Sequence, residues 1–99
     1  MQEITSENFE KEVLQAEGPV LVDFNADWCG PCKAMHATLE PLTDEYKIVS
    51  VNIDDQEELA RKYEVMSIPC LVVFRDGAEV VREVGVQSEK RIRKMIEEA

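Results

Sequence analysis

The chain has 99 residues, too few for two ordinary domains, and its 44% hydrophobic and 32% charged residues are the balance of a folded globular protein, not of a disordered tail or a membrane span. A formal net charge of −10, from 21 acidic and 11 basic side chains, disfavours phosphate backbones and anionic lipid, so neither nucleic acid nor membrane is an expected partner. Three cysteines are too few, and odd in number, for a disulfide-stapled secreted framework, so their spacing must explain them.

The N-terminal Met-Gln-Glu-Ile-Thr-Ser lacks the basic start and apolar run of a secretory signal, and the expected location is the cytoplasm. The longest apolar stretches, such as Val20 to Val22 and Ile68 to Phe74, fall far short of the about 20 residues of a membrane helix. Glu3-Ile4 reads as a weak first edge strand. Ser6 caps a predicted helix running to about Ala16, with Phe9, Val13 and Leu14 on one face and Gly18-Pro19 ending it. Val20 to Asn25 is a strand, rich in β-branched residues and apolar enough to be buried on both faces. Pro31 opens a second helix reaching about Tyr46, because a first turn needs no donor there, and Pro41 within it implies a kink.

Ile48 to Asp54 and Cys70 to Arg75 are two further strands, separated by a short helix over Gln56 to Tyr63. Arg75-Asp76-Gly77 is a hairpin turn leading into the alternating strand Glu79 to Val84. Gly85 closes that strand. Ser88 then caps a terminal helix with Ile92, Met95 and Ile96 inward. Strands alternating with helices predict parallel pairing, and the final hairpin makes the sheet mixed. The fold class is therefore α/β, with residues 1–99 as a single domain.

Trp28-Cys29-Gly30-Pro31-Cys32 falls where a buried strand hands over to a helix. The unpaired N–H groups and the macrodipole at a helix N-terminus favour a thiolate over a thiol, which makes Cys29 the expected nucleophile. Two intervening residues put Cys32 about one turn into the helix, where its sulfur reaches Cys29 and closes a small disulfide ring. Asp23 lies in an otherwise apolar strand, where a carboxylate is costly to bury and its pKa should rise.

With Trp28-Cys29-Gly30-Pro31-Cys32-Lys33 as active-site signature, the chain resembles the thioredoxin family. Val22-Asp23-Phe24, Asn52-Ile53-Asp54, Ile68-Pro69, Gly77 and Gly85 match in register over essentially the whole length. The resemblance implies a thioredoxin fold, a central mixed five-stranded sheet flanked by four helices. It also implies reduction of protein disulfides by a monomer that carries no cofactor and draws electrons from a thioredoxin reductase. Gly30-Pro31 between the cysteines matches the reducing members. In the implied cycle Cys29 attacks the substrate disulfide, Cys32 resolves the mixed disulfide, and Asp23 relays a proton for Cys32. Trp28, Gly30, Pro31, Ile68 and Pro69 form the substrate-binding rim, with a cis Ile68-Pro69 bond whose flanking backbone accepts a substrate segment as an added strand.

Four departures from the family pattern stand out: Ser50 in place of a lysine near the buried acid, Asn25 in place of an aromatic, Ala37 at the usual site of a helix proline now found at Pro41, and Cys70 in place of a threonine after Pro69. By resemblance Cys70 belongs beside Cys29 on the rim, where it would modulate the active site; the other reading is a small buried hydrophobe that fills the threonine's place. The alternative is a metal or iron–sulfur module built on Cys29, Cys32 and Cys70, with His36 a fourth candidate ligand. His36 lies four residues beyond Cys32, a turn farther from Cys29, and reads as an exposed histidine.

Overall fold

Five strands form one sheet covered on both sides, and the computed structural model describes all residues from 1 to 99. They are β1 (Gln2–Glu3), β2 (Val20–Asn25), β3 (Ile48–Asn52), β4 (Cys70–Arg75) and β5 (Ala78–Val84). In space the order is β1-β3-β2-β4-β5; β1, β3 and β2 run parallel, while β4 is antiparallel to β2 and β5 to β4. Side-chain alternation along β2 sends Val22 and Phe24 to one face and Leu21, Asp23 and Asn25 to the other. Both faces are covered, which explains why Val20 through Phe24 are all buried.

Three α-helices, α1 (Gly30–Leu39), α2 (Glu57–Lys62) and α3 (Glu89–Glu97), are joined by a π-helical segment over Glu10–Leu14 and a 3₁₀ segment over Glu40–Asp44. The 3₁₀ segment continues α1 through Pro41, so four helical units flank the sheet. The kink expected at Pro41 takes this form: α-helical bonding stops at Leu39, because the proline supplies no N–H, and a tighter turn replaces it. Beneath the π-helical segment and α2, Ile4, Phe9, Val13, Val22, Phe24, Val51, Leu59 and Phe74 form one core. Beneath α1 and α3, Leu21, Met35, Leu39, Ile48, Leu71, Val73, Ile92 and Met95 form the other.

The first helix differs from expectation in start, length and bonding. Ser6 does not cap it; its N–H instead donates to Gln56 Oε1 at 3.0 Å, while Asn8 Oδ1 accepts from Thr5 N at 2.8 Å. The helical stretch is a single wide turn, with Gln15 N donating to Glu10 O five residues back. It still buries Phe9 and Val13, the contacts that its apolar pattern encodes. The third strand also stops early, at Asn52, because Asn52 Oδ1 accepts from the N–H groups of Asp54 and Asp55 and turns the chain. At the hairpin, Asp76 and Gly77 have φ of 53° and 81°, the paired left-handed conformation of a two-residue turn matched to strand twist. Ser88 Oγ accepts from Arg91 N and caps α3 as its sequence predicts.

Candidate active site

Strand β2 ends at Asn25, and shortly after it Cys29 stands as the N-cap of α1 with extended backbone angles. Its Sγ accepts from Cys32 N at 3.1 Å, so a free donor of the helix's first turn points at the sulfur. Gly30 and Pro31 fill the first two helical positions, and Cys32 follows on the same turn. Cys29 and Cys32 are joined as a disulfide, with Cα atoms 5.2 Å apart. In the reduced protein, the same N–H and the N-terminal end of the ten-residue α1 would favour negative charge on Cys29.

An open groove of about 450 Å³ runs past the pair, lined by Trp28, Cys29, Gly30, Pro31, Ile53 and the segment from Val65 to Ile68. Trp28 is 69% exposed, with its Nε1 donating to Asp54 Oδ2 at 2.9 Å, so its ring is a fixed wall of the groove and not core packing. Ile68-Pro69 is cis, with Ile68 half-buried in this wall and Pro69 buried. The structure thus brings Trp28, Gly30, Pro31 and Ile68 together around Cys29. Cys29 itself is 4% exposed, reached through the groove rather than standing proud of it.

Asp23 lies on the α1 side of the sheet, fully buried, and shares a second cavity of about 270 Å³ with Cys32, Asn25, Asp27, Lys33 and His36. Burial pushes its carboxyl up to about 7, opposed only by a hydrogen bond from Asn25. No cationic side chain bonds to it, in keeping with Ser50 at the position opposite on β3. Its Oδ1 has no hydrogen-bond partner. His36 lies at the cavity mouth, 3.2 Å from Glu40 across the outer face of α1, an exposed histidine as its spacing indicates.

A family model described as Thioredoxin matches residues 1–98. The chain belongs to the thioredoxin family. It is 45% identical to "Thioredoxin C-2" of Corynebacterium nephridii, over 95% of this chain and 91% of that protein. It is 46% identical to the thioredoxin of Streptomyces clavuligerus, over 88% of this chain and 84% of that one. Among solved structures, a mutant thioredoxin from Halobacterium salinarum NRC-1 superposes with a TM-score of 0.90 at 32% identity, covering 98% of this chain and 88% of that one. Thioredoxin-family proteins are protein-disulfide oxidoreductases, and in this member Cys29 and Cys32 occupy the disulfide-exchange position.

The metal or iron–sulfur alternative has no support: no group of three or more His, Cys, Asp or Glu side chains converges to hold an ion. Cys70 is the reason. Strand alternation turns it toward the face of Val72 and Phe74, where it is 1% exposed among the apolar residues under the π-helical segment and α2. The expected position on the substrate-binding rim is therefore corrected: Cys70 fills a threonine's place as a small buried hydrophobe, and burial pushes its thiol upward, away from the reactive thiolate. Folded protein should leave Cys70 unalkylated by iodoacetamide until denaturant is added, and Cys70→Thr should keep disulfide-reducing activity within a few-fold. Rapid alkylation of Cys70 in the native protein would contradict its placement.

Sequence reading missed Val65 and Met66 as groove residues, although Met66 is 92% exposed beside the disulfide. The available signal was an apolar side chain in the loop just ahead of Ile68-Pro69. It missed Asp54 as the anchor of Trp28 as well, a contact 26 residues apart in the chain that no local pattern encodes.

Proposed function

We propose that this thioredoxin-family chain is a cytoplasmic, monomeric reductant of protein disulfides, a single domain over residues 1–99 that is re-reduced by a thioredoxin reductase and contributes to electron transport and redox homeostasis. The observation that carries this reading is the Cys29–Cys32 pair at the start of α1, with Cys29 lining an open groove whose walls are mostly apolar. No helix is long and apolar enough to cross a membrane. The acidic surface disfavours nucleic acid as a partner.

The cycle balances without a bound cofactor. In the dithiol form, the Cys29 thiolate attacks one sulfur of the substrate disulfide, an S–S bond forms between them, and the other substrate sulfur leaves as a thiolate that takes up a proton. Asp23, as carboxylate, accepts the Cys32 proton; the Cys32 thiolate attacks Cys29 Sγ, forms the Cys29–Cys32 disulfide and expels the second substrate sulfur. The substrate gains two electrons and the pair loses two, which the reductase then restores. Trp28, Gly30, Pro31, Ile68 and Pro69 hold the substrate segment. Met66, exposed along the groove, adds adaptable apolar contact.

A coupled assay tests the reading: the chain is mixed with a thioredoxin reductase, its electron donor and a protein that contains an accessible disulfide. Catalytic disulfide reduction that depends on all components is the expected result. Oxidation of substrate dithiols, with no turnover in the reducing direction, would overturn it.

A further inference from the structure

We infer that Asn25, held by Ser50, is a positioning residue for the Asp23 carboxyl and thereby governs proton acceptance from Cys32. This rests on the reading of Asp23 as proton relay given above. Asp23 and Asn25 are two residues apart on β2 and so share a face, and the register with β3 sets Ser50 beside Asp23. Asn25 Nδ2 lies 2.8 Å from Ser50 Oγ, 2.9 Å from the Asp23 carbonyl oxygen and 3.5 Å from Asp23 Oδ2. A carbonyl and a carboxylate only accept, so the amide must present its NH₂ end to them; the reverse orientation would set oxygen against oxygen.

The two carboxyl oxygens are thereby made unequal. Oδ2 takes a long contact from the Asn25 NH₂, shared with the Asp23 carbonyl oxygen and Ser50 Oγ, whereas Oδ1 has no hydrogen-bond partner and is the oxygen free to take a proton. Asp23 and Ser50 are the two buried polar residues of the whole molecule, and Asn25 bonds to both. Other charged or titratable groups around Asp23 do not replace this contact. Helix α1 contributes Cys32, Lys33 and His36 to the shared cavity, and the loop before it contributes Asp27, none with a hydrogen bond to the carboxyl. Strand β4 presents Leu71 beside Asp23 and turns Cys70 to the opposite face. Beyond Leu71, Glu83 of β5 is paired with Arg91 of α3 at 2.8 Å. Strand β3 contributes Ser50 alone.

A donor on Oδ2 favours the charged carboxylate against the desolvation that opposes it. Asn25 therefore keeps Asp23 able to ionise near neutral pH, when Cys32 must lose its proton. Removing the amide should leave Cys29 attack untouched and slow only the resolving step, and more so at lower pH.

The test uses the full chain with Asn25→Ala and Ser50→Ala, reading the Asp23 carboxyl by ¹³C NMR titration and, separately, the pH profile of mixed-disulfide resolution. In Asn25→Ala the Asp23 midpoint should rise by about one unit, and resolution at pH 6 should fall about tenfold, converging on wild type above about pH 9. Ser50→Ala should move both in the same direction by less, and it carries the test if Asn25→Ala does not fold. An unchanged or lowered midpoint in the variants overturns the assignment, and a shift in Asn25→Ala alone removes Ser50 from it. Asp23→Asn separates the two readings: an unaltered pH profile in that variant refutes the relay, while the NMR midpoint still decides what Asn25 does to the carboxyl.

Discussion

Cys32→Ser should accumulate a covalent mixed disulfide between Cys29 and its protein substrate, whereas Cys29→Ser should accumulate none. The asymmetry follows from position. Cys29 caps α1 with its sulfur toward a free backbone N–H and the groove, while Cys32 sits one turn inside, toward Asp23. With Cys32 replaced, attack proceeds and release does not; with Cys29 replaced, the thiol that remains faces the cavity and not the substrate. Each variant should lose catalytic turnover by on the order of 10³-fold or more, because removing one member of a two-sulfur cycle leaves no partial route. Non-reducing electrophoresis and intact-mass analysis after one equivalent of disulfide substrate distinguish the two. Wild-type turnover in both variants would refute the exchange cycle.

Asp23→Asn should stabilise the fold by a few kcal/mol at pH 8 and hardly at all at pH 4. Burial lifts the folded-state pKa from the ordinary aspartate value to about 7, so the native protein binds more protons than the unfolded chain between those limits. The unfolded state therefore gains ground as pH rises from about 4 to about 7, and the penalty is complete above that window. A shift of about three units corresponds to an upper bound of about 4 kcal/mol. At pH 4 the native carboxyl is protonated and neutral, and an amide of the same shape should cost or add little. Urea unfolding at both pH values measures the difference. Equal stability of variant and wild type at pH 8 would show that Asp23 is not held charged in a dry site. The same substitution should slow release of substrate from the mixed disulfide, a cost of the kind expected where a strained or destabilised group serves chemistry.

The strands were legible because their β-branched, apolar runs are bounded by clear turn residues: Val20–Asn25 and Cys70–Arg75 have the limits their sequences predict. The Asp76-Gly77 turn and the Ser88 cap were legible for the same reason, since each is decided by the chemistry of one or two residues. The first helix was not. Ser6, a good capping residue, has its backbone drawn to Gln56, 50 residues away, and only the tertiary fold brings that partner near. In the site, the cysteine pair and the buried acid could be found from spacing and from a charge in an apolar strand. Cys70 could not be placed by neighbourhood to Pro69 alone, because the alternation of β4 decides which face its sulfur meets. Asn25 and Ser50 were visible as departures from a pattern, but their mutual bond depends on the register of β2 with β3, which nothing in either strand encodes by itself.

The sheet keeps its chemistry to one side. Both buried polar side chains lie on the face packed by α1 and α3, while the opposite face holds an aromatic trio, Phe9, Tyr63 and Phe74, with ring centroids 5.2 to 5.6 Å apart, and the one unpaired thiol. For protein engineering this amounts to two independent dials. Repacking around the trio should change heat tolerance while leaving the pH response of the redox pair where it was, since distant sites combine additively.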